Sequence, residues 1–468
     1  MKIQQVLATL LAALILAGCS AGSSGSPSSA TQPPAQAASQ APEAANANTP
    51  APAKDIEISF TWWGDTRRNE IYGAVCDDFE AANPGIKVIR EPAAFGEYWD
   101  KLSTRIAGGN APDVMGIHAN FGSDLATRGV LADLQPYIDS GIFEVDGIED
   151  SLIQSSRING LLCILPQGIT IECMYINQTL LDEVGIDLGI DYKNNNGTFT
   201  YASFLEAAKR FTEAAKAKGM DGVYFGAPGG SDNVASLQYW SRTTLGGIDL
   251  YKDEGGLGIT EDALSKWFAL HKELIDIGAA ADAATSLEDA SAPLEDKLFT
   301  RGKVLISSTS ANQYSQYQAQ MTDSELYLLP FPEAEDGSSY NALVASHFAI
   351  SNQADDAHKE AAAKFLNHFF NRESAVSIFK LEQGVPINSK LADIVAKSLD
   401  PLSAYVIGFV NDYTAKGARF WVYPPAGSNE FTQLLSTAAQ SVSYGQSAPE
   451  EAAKSLYSEA EAAFAKIN

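Results

Sequence analysis

The sequence predicts an α/β protein built as two lobes, and three observations lead there. Between residues 56 and 117 the apolar pattern switches between strand-like and helix-like spacing in the order strand, helix, strand, helix, strand. That is a βαβαβ arrangement, which calls for a parallel sheet covered by helices. About 415 residues follow residue 53, more than one hydrophobic core normally serves. Past residue 19 the longest apolar stretches are strand-sized rather than membrane-spanning.

In chain order, Lys2 is followed by an apolar run over 6–17, too short to span a membrane comfortably but suited to a secretory leader. Leu16-Ala17-Gly18-Cys19 then sets small residues before a cysteine, the pattern of a bacterial lipobox. Residues 1–18 are therefore expected to be a lipoprotein signal peptide, with Cys19 lipidated as the membrane anchor. Residues 20–53 are almost wholly Ala, Ser, Pro, Gln, Gly, Asn and Thr, with Glu43 as the one charge. Such a segment buries too little apolar area to offset ordering, so 19–54 reads as anchor and disordered tether. Its ends would lie on the order of 30 Å apart.

The body opens with a strand over 56–62, whose even positions Ile56, Ile58, Phe60 and Trp62 share one face. A helix follows with Ile71, Val75 and Phe79 four apart, stopped at Asn83-Pro84-Gly85. Then come a strand over 86–90, a helix carrying Leu102 and Ile106, and a strand over 113–117. Residues 200–218 place Phe204, Ala208, Phe211 and Ala215 on one helical stripe ending at Gly219. Strands are expected over 304–307, 326–329 and 341–350, and a helix through Ala362, Phe365, Leu366 and Phe369. Ser447-Ala448-Pro449-Glu450 reads as a capping box with proline in the first turn of the last helix.

A formal net charge of −26 argues against nucleic acid and anionic lipid headgroups as partners. With Cys19 lipidated, Cys76, Cys163 and Cys173 remain; Cys163 and Cys173 flank Pro166-Gln167-Gly168 and either pair or behave as buried small hydrophobes. His118, His271, His347, His358 and His368 show no zinc spacing, so neither metal nor cofactor is expected.

Six segments in order resemble the extracellular solute-binding proteins of ABC importers, family 1, the sugar-type group. They are Trp62-Trp63-Gly64-Asp65; Gly108-Gly109-Asn110-Ala111-Pro112-Asp113-Val114; Leu165-Pro166-Gln167-Gly168 with Met174-Tyr175-Ile176-Asn177; Leu329-Pro330-Phe331-Pro332; Ser346-His347-Phe348-Ala349-Ile350-Ser351; and Gln383-Gly384-Val385-Pro386-Ile387-Asn388. The resemblance implies a two-lobe periplasmic-binding-protein fold of type II, with hinge strands and a ligand cleft between lobes. The expected division is 55–168 plus 332–380 for the N-terminal lobe and 169–331 plus 381–468 for the C-terminal lobe.

Ligands in open α/β sheets sit outside the carboxyl ends of strands and at domain interfaces. Sugar recognition needs flat aromatic faces and side chains that bond hydroxyls. On these grounds, and as the resemblance implies, the expected ligand contacts begin with Trp63 and Asp65 after the first strand, and His118 and Asn120 after the third. Gln167 and Thr170 belong to the first crossing, and Trp240 follows the loop 227–233. Asn312 stands where relatives often carry a stacking tryptophan. His347 lies on the strand after the second crossing, while Trp421 and Tyr423 form a capping loop. Trp267 is expected in the core and Asp113 in a turn.

The implied function is capture of a carbohydrate by cleft closure and delivery to the permease of an ABC importer, by a lipid-anchored protein on the extracytoplasmic face of the cell membrane, expected to be a monomer. Six tryptophans lean towards an oligosaccharide. Iron, polyamine or peptide cargo is the alternative. An enzyme is the more distant one: past the leader there is no G-x-S-x-G turn and no zinc motif, so no catalytic residue is assigned. A glycosidase pair would be defined by a spatial separation that sequence does not give.

Overall fold

The computed structural model of the protein describes residues 55–466 apart from 195–196, 253–254, 339, 341, 417 and 421–423. The expected signal peptide, Cys19 and tether lie outside the described residues, as do Trp421 and Tyr423. Among the described residues, eleven strands build two larger sheets, beside a two-stranded one (Arg157–Ile158 with Leu161–Leu162): β1 (Ile56–Trp63), β2 (Ile86–Ala93), β3 (Val114–His118), β4 (Leu165–Pro166), β5 (Thr170–Asn177), β6 (Tyr224–Gly226), β7 (Val304–Ser310), β8 (Leu326–Leu329), β9 (Ala342–Val344), β10 (Ser346–Ile350) and β11 (Arg419–Phe420).

The first sheet runs β2-β1-β3-β10-β4. β1 is parallel to β2 from Ile56 opposite Ile86 to Trp63 opposite Ala93, and parallel to β3 at Phe60 opposite Val114. This is the expected βαβαβ unit, extended by β10 antiparallel to β3. Period-two alternation in β1 sends Ile58, Phe60 and Trp62 into one core with helices Thr66–Ala82 and Asp356–Asn371. There the Phe60 ring lies 5.0 Å from Phe365. The same alternation turns Trp63 to the other face, with Tyr98, Leu102 and Ile106 of helix Phe95–Ala107.

The second sheet runs β11-β9-β5-β7-β6, with β8 paired to the far end of β5. Both faces of β5 are covered: Met174 and Ile176 pack with helix Tyr201–Ala217, while Ile171, Cys173 and Tyr175 pack with helix Pro401–Ala415. A strand buried on both sides reads as continuous apolar sequence. Helices Val234–Thr244, Glu261–Asp276, Ser428–Ser443 and Pro449–Phe464 form a further apolar cluster.

The chain passes from the first sheet to the second over Gln167–Ile169, where it meets a later segment. The Ile169 N–H donates to the Val385 carbonyl at 2.8 Å, and the Val385 N–H returns the bond at 2.7 Å. Backbones come this close because glycines stand opposite. A Cβ on Gly384, whose φ is +106°, would lie 2.2 Å from the Ile169 carbonyl oxygen. One on Gly168 would lie 2.8 Å from that of Gln383.

Two sequence expectations change. The strand expected over 341–350 is two: Val344 pairs with Thr170 in the second sheet, while Ser346 pairs with His118 in the first. The chain changes sheet at Ala345, and the strand-like composition on both sides of it carries no mark of a change of partner. The capping box before Pro449–Phe464 does not form; Ala448 is the N-cap and no side chain caps the helix, although Pro449 opens the first turn as expected. Of the two readings open for Cys163 and Cys173, the structure shows the second: both are free and buried, as is Cys76, in separate apolar clusters. Among the described residues no helix is long and apolar enough to cross a membrane.

Candidate functional site

A cleft of ≈ 840 Å³ lies between the two sheets. From the first sheet it is lined by Trp63 and His118, the last residues of β1 and β3, and by Ser346, the first of β10. From the second come Thr170 and Glu172 of β5, Ser310 at the end of β7, and Val344 of β9. Carboxyl ends of parallel strands thus form one wall, as open α/β sheets dictate.

Trp63 is almost wholly buried, its ring 5.9 Å from Phe95 and 5.5 Å from Trp99. Trp99 in turn stacks on Phe121 at 3.9 Å. Phe95 opens helix Phe95–Ala107, lines the cleft and is 53 % exposed, so it is the aromatic that offers a free face. His118 lies beside these rings, 6.4 Å from Phe95. Desolvation holds its imidazole down to about 4, so it is neutral at physiological pH.

Asp65 lines the cleft, and its carboxylate also accepts the Arg68 N–H at 2.9 Å as the helix N-cap. Arg68, one turn on, donates through Nε to Glu382 at 2.9 Å and through Nη1 to the Trp63 carbonyl at 3.0 Å. With the Gln383 amide in the orientation that satisfies both its atoms, its oxygen accepts from Arg68 Nη2 at 2.8 Å and its nitrogen donates to Ser346 Oγ at 3.3 Å. Across the cleft, Glu172 accepts a hydrogen bond from the Ser310 hydroxyl, and burial raises its carboxyl above the usual range. Thr170 and Asn312 are joined by Asn312 N–H donating to Thr170 Oγ1 at 3.2 Å; the Asn312 amide reaches the Glu382 carbonyl at 3.2 Å.

The structure therefore brings Trp63, Asp65, His118, Thr170 and Asn312 together at the cleft. Asn120 lies in the first turn of helix Ala119–Thr127, directly after His118. Three expected contacts lie elsewhere. Gln167 is 3 % exposed and is engaged on both sides: its Oε1 accepts from the Tyr72 hydroxyl at 2.6 Å and its Nε2 donates to the His347 carbonyl at 2.9 Å. Trp240 is a core residue, packed in the helical cluster with its ring 5.8 Å from Trp267, because helix Val234–Thr244 turns that position inward. Asp232, Asn233 and Ala235 line the cleft in its place. His347 is buried in β10 opposite Ile117 and Pro166, with its imidazole held down to about 3 by desolvation and then by His118; alternation gives the cleft its neighbour Ser346 instead. Trp267 is core as expected, with Nε1 donating to the Ser231 carbonyl at 2.9 Å. Asp113 is structural as expected, its carboxylate accepting from Ser59 N–H and Oγ–H.

Arg68, Phe95, Glu172, Ser310, Gln313, Gln316 and Gln383 were missed. Phe95 had a signal, an aromatic immediately after the strand-and-Pro92 segment where a helix begins. Glu172 had a stronger one, a lone carboxylate inside an apolar strand. Among the described residues no group of three or more His, Cys, Asp or Glu is placed to hold a metal ion.

Comparison with known proteins agrees with this architecture. Residues 74–404 match a family described as bacterial extracellular solute-binding protein. A candidate binding protein of Brucella abortus strain 2308 is 25 % identical over 392 residues, 83 % of this chain and 88 % of that protein. Among solved structures, a periplasmic solute-binding protein of Pectobacterium atrosepticum superposes with a TM-score of 0.74 at 24 % identity, covering 88 % of this chain and 99 % of that one. A periplasmic oligogalacturonide-binding protein of Yersinia enterocolitica, in complex with saturated digalacturonic acid, gives 0.75 at 18 % identity with the same coverage. An ABC substrate-binding protein of Listeria monocytogenes, in complex with cycloalternan, gives 0.70 at 20 % identity, covering 87 % of this chain and 98 % of that one. These likenesses establish the two-lobe fold.

Proposed function

The chain belongs to the bacterial extracellular solute-binding protein family, and on that premise we propose that it captures a carbohydrate, of oligosaccharide size, for an ABC importer. The observation that carries the reading is the lining of the cleft. Phe95 offers an exposed aromatic face backed by Trp63, and Thr170, Ser310, Asn312, Gln313, Gln316 and Ser346 line the same cleft with hydroxyls and amides. An apolar ring face suits the C–H patch of a pyranose, and the polar ring suits its hydroxyls. A volume of ≈ 840 Å³ has room for more than one sugar residue. The sugar-bound neighbours from Yersinia and Listeria support the same class.

Binding works by closure. A ligand touching both walls stabilises the arrangement in which they approach, by its differential contacts with the two lobes. The proposed lobes follow the expected division with one shift, the boundary expected at 331/332 moving to Ala345 because Val344 pairs in the second sheet and Ser346 in the first: 55–168 plus 346–380, and 169–344 plus 381–468. In this reading Cys19 carries the lipid anchor, residues 20–54 tether the body at the extracytoplasmic face of the membrane, and the closed monomer docks on the permease. No chemistry is done on the cargo. A thermal-shift panel of sugars of increasing length, with amino acids, peptides, polyamines and ferric iron alongside, tests this. A ligand at 100 times its dissociation constant adds about 2.7 kcal/mol of stability. Shifts with intact sugars support the reading, and shifts confined to the other cargoes sink it.

A further inference from the structure

We infer that the cleft accepts oligosaccharides without acidic groups and rejects uronic-acid sugars, with Glu172 and Asp232 enforcing the choice. This rests on the carbohydrate reading and extends it to the charge of the cargo.

Arg68 is the only cationic side chain among the described residues that line the cleft. Its guanidinium is already engaged by Glu382, the Trp63 carbonyl and the Gln383 amide oxygen. The Glu382 side chain is 3 % exposed and lies 2.9 Å from Arg68 Nε, so its charge cancels that of Arg68 at contact distance. Neutral His118 adds no positive charge. Against this matched pair stand three lining carboxyl groups, Asp65, Glu172 and Asp232. A sugar carboxylate entering the cleft would find no unengaged cation and several like charges, in a site where solvent screening is reduced. A neutral sugar meets the reverse situation, because its hydroxyls donate to carboxylates in charge-assisted hydrogen bonds.

The test is a glycan array of neutral, amino and uronic-acid oligosaccharides probed with the purified protein. Calorimetry follows with the strongest neutral hit and with digalacturonic acid as the anionic probe. Binding confined to glycans without acidic groups is expected, with digalacturonic acid at least about a hundredfold weaker than the neutral hit. Glu172→Gln and Asp232→Asn should each narrow that gap by about tenfold. Uronic-acid glycans binding as well as neutral ones would overturn the inference while leaving the carbohydrate reading in place. An unchanged gap in both folded variants would overturn the role given to these two carboxylates. Should either variant fold poorly, the wild-type comparison still decides. No binding by any glycan, with a non-sugar cargo bound in the thermal-shift panel, would instead sink the carbohydrate reading beneath it.

Discussion

Arg68→Met strands the Glu382 carboxylate, which is 3 % exposed and has its 2.9 Å partner in the Arg68 guanidinium. Removing one member of a buried ion pair costs about 3–5 kcal/mol, because the remaining charge is left desolvated. Arg67 lies 4.0 Å from the same carboxylate but is 59 % exposed, so it compensates weakly and sets the loss near about 3 kcal/mol. Glu382→Gln is milder. Arg68 is 16 % exposed and keeps the Trp63 carbonyl and the Gln383 amide as acceptors, so the loss is about 1–2 kcal/mol. The double variant removes both charges and should lose only about 1–2 kcal/mol, giving a coupling energy of about 3 kcal/mol. Urea denaturation followed by tryptophan fluorescence measures all four proteins. A loss below about 1 kcal/mol for Arg68→Met, or single losses that simply add in the double variant, would refute the reasoning.

Three further outcomes are expected. Phe95→Ala should weaken binding of any sugar hit about tenfold while leaving the urea midpoint nearly unchanged, since the ring is 53 % exposed; calorimetry alongside denaturation checks both. Gly384→Ala should destabilise by more than about 2 kcal/mol in the same denaturation assay, because φ is +106° and the new Cβ would meet the Ile169 carbonyl oxygen at 2.2 Å. Stability should be complete above about pH 6.5 and fall towards pH 4, because the folded protein holds His118 down to about 4 and His347 to about 3, whereas the unfolded chain takes up those protons near 6.5. His118 alone accounts for about 3 kcal/mol of that loss, and urea midpoints for wild type and His118→Gln between pH 4 and 7.5 should diverge accordingly. The raised carboxyl of Glu172 works in the opposite direction over the acid range.

Local pattern was enough for what depends on neighbours in the chain. Alternation in β1 placed Phe60 and Trp62 on a core face and sent Trp63 to the opposite one, at the strand end where the cleft opens. Spacing by four placed Val75 and Phe79 inside, and the change of period announced the parallel unit. Asp65 was legible as a cleft residue because it stands just past a strand end, and the same position lets it cap the helix that follows. What pattern could not supply was direction relative to partners distant in sequence. Trp240 and Trp267 share a residue type and a helical setting, and only the packing of their helices sends both into the core. Gln167 stands on the crossing as expected, yet Tyr72 and the His347 carbonyl engage its amide. His347 and Ser346 differ by one position, and the pleat alone decides which of them faces the cleft. Thus the sequence by itself determined the parallel unit with its strands and helices, several later elements, and the ends of β1 and β3 from which a site could be built, but not the central strand β5 of the second sheet. Only the tertiary structure decided the site's charge, since Arg68 meets Glu382 across 314 residues and Glu172 meets Ser310 across 138: the first contact is made where helix Thr66–Ala82 lies beside the segment after helix Glu373–Phe379, the second by the antiparallel register of β5 and β7, and no periodicity along the chain specifies either.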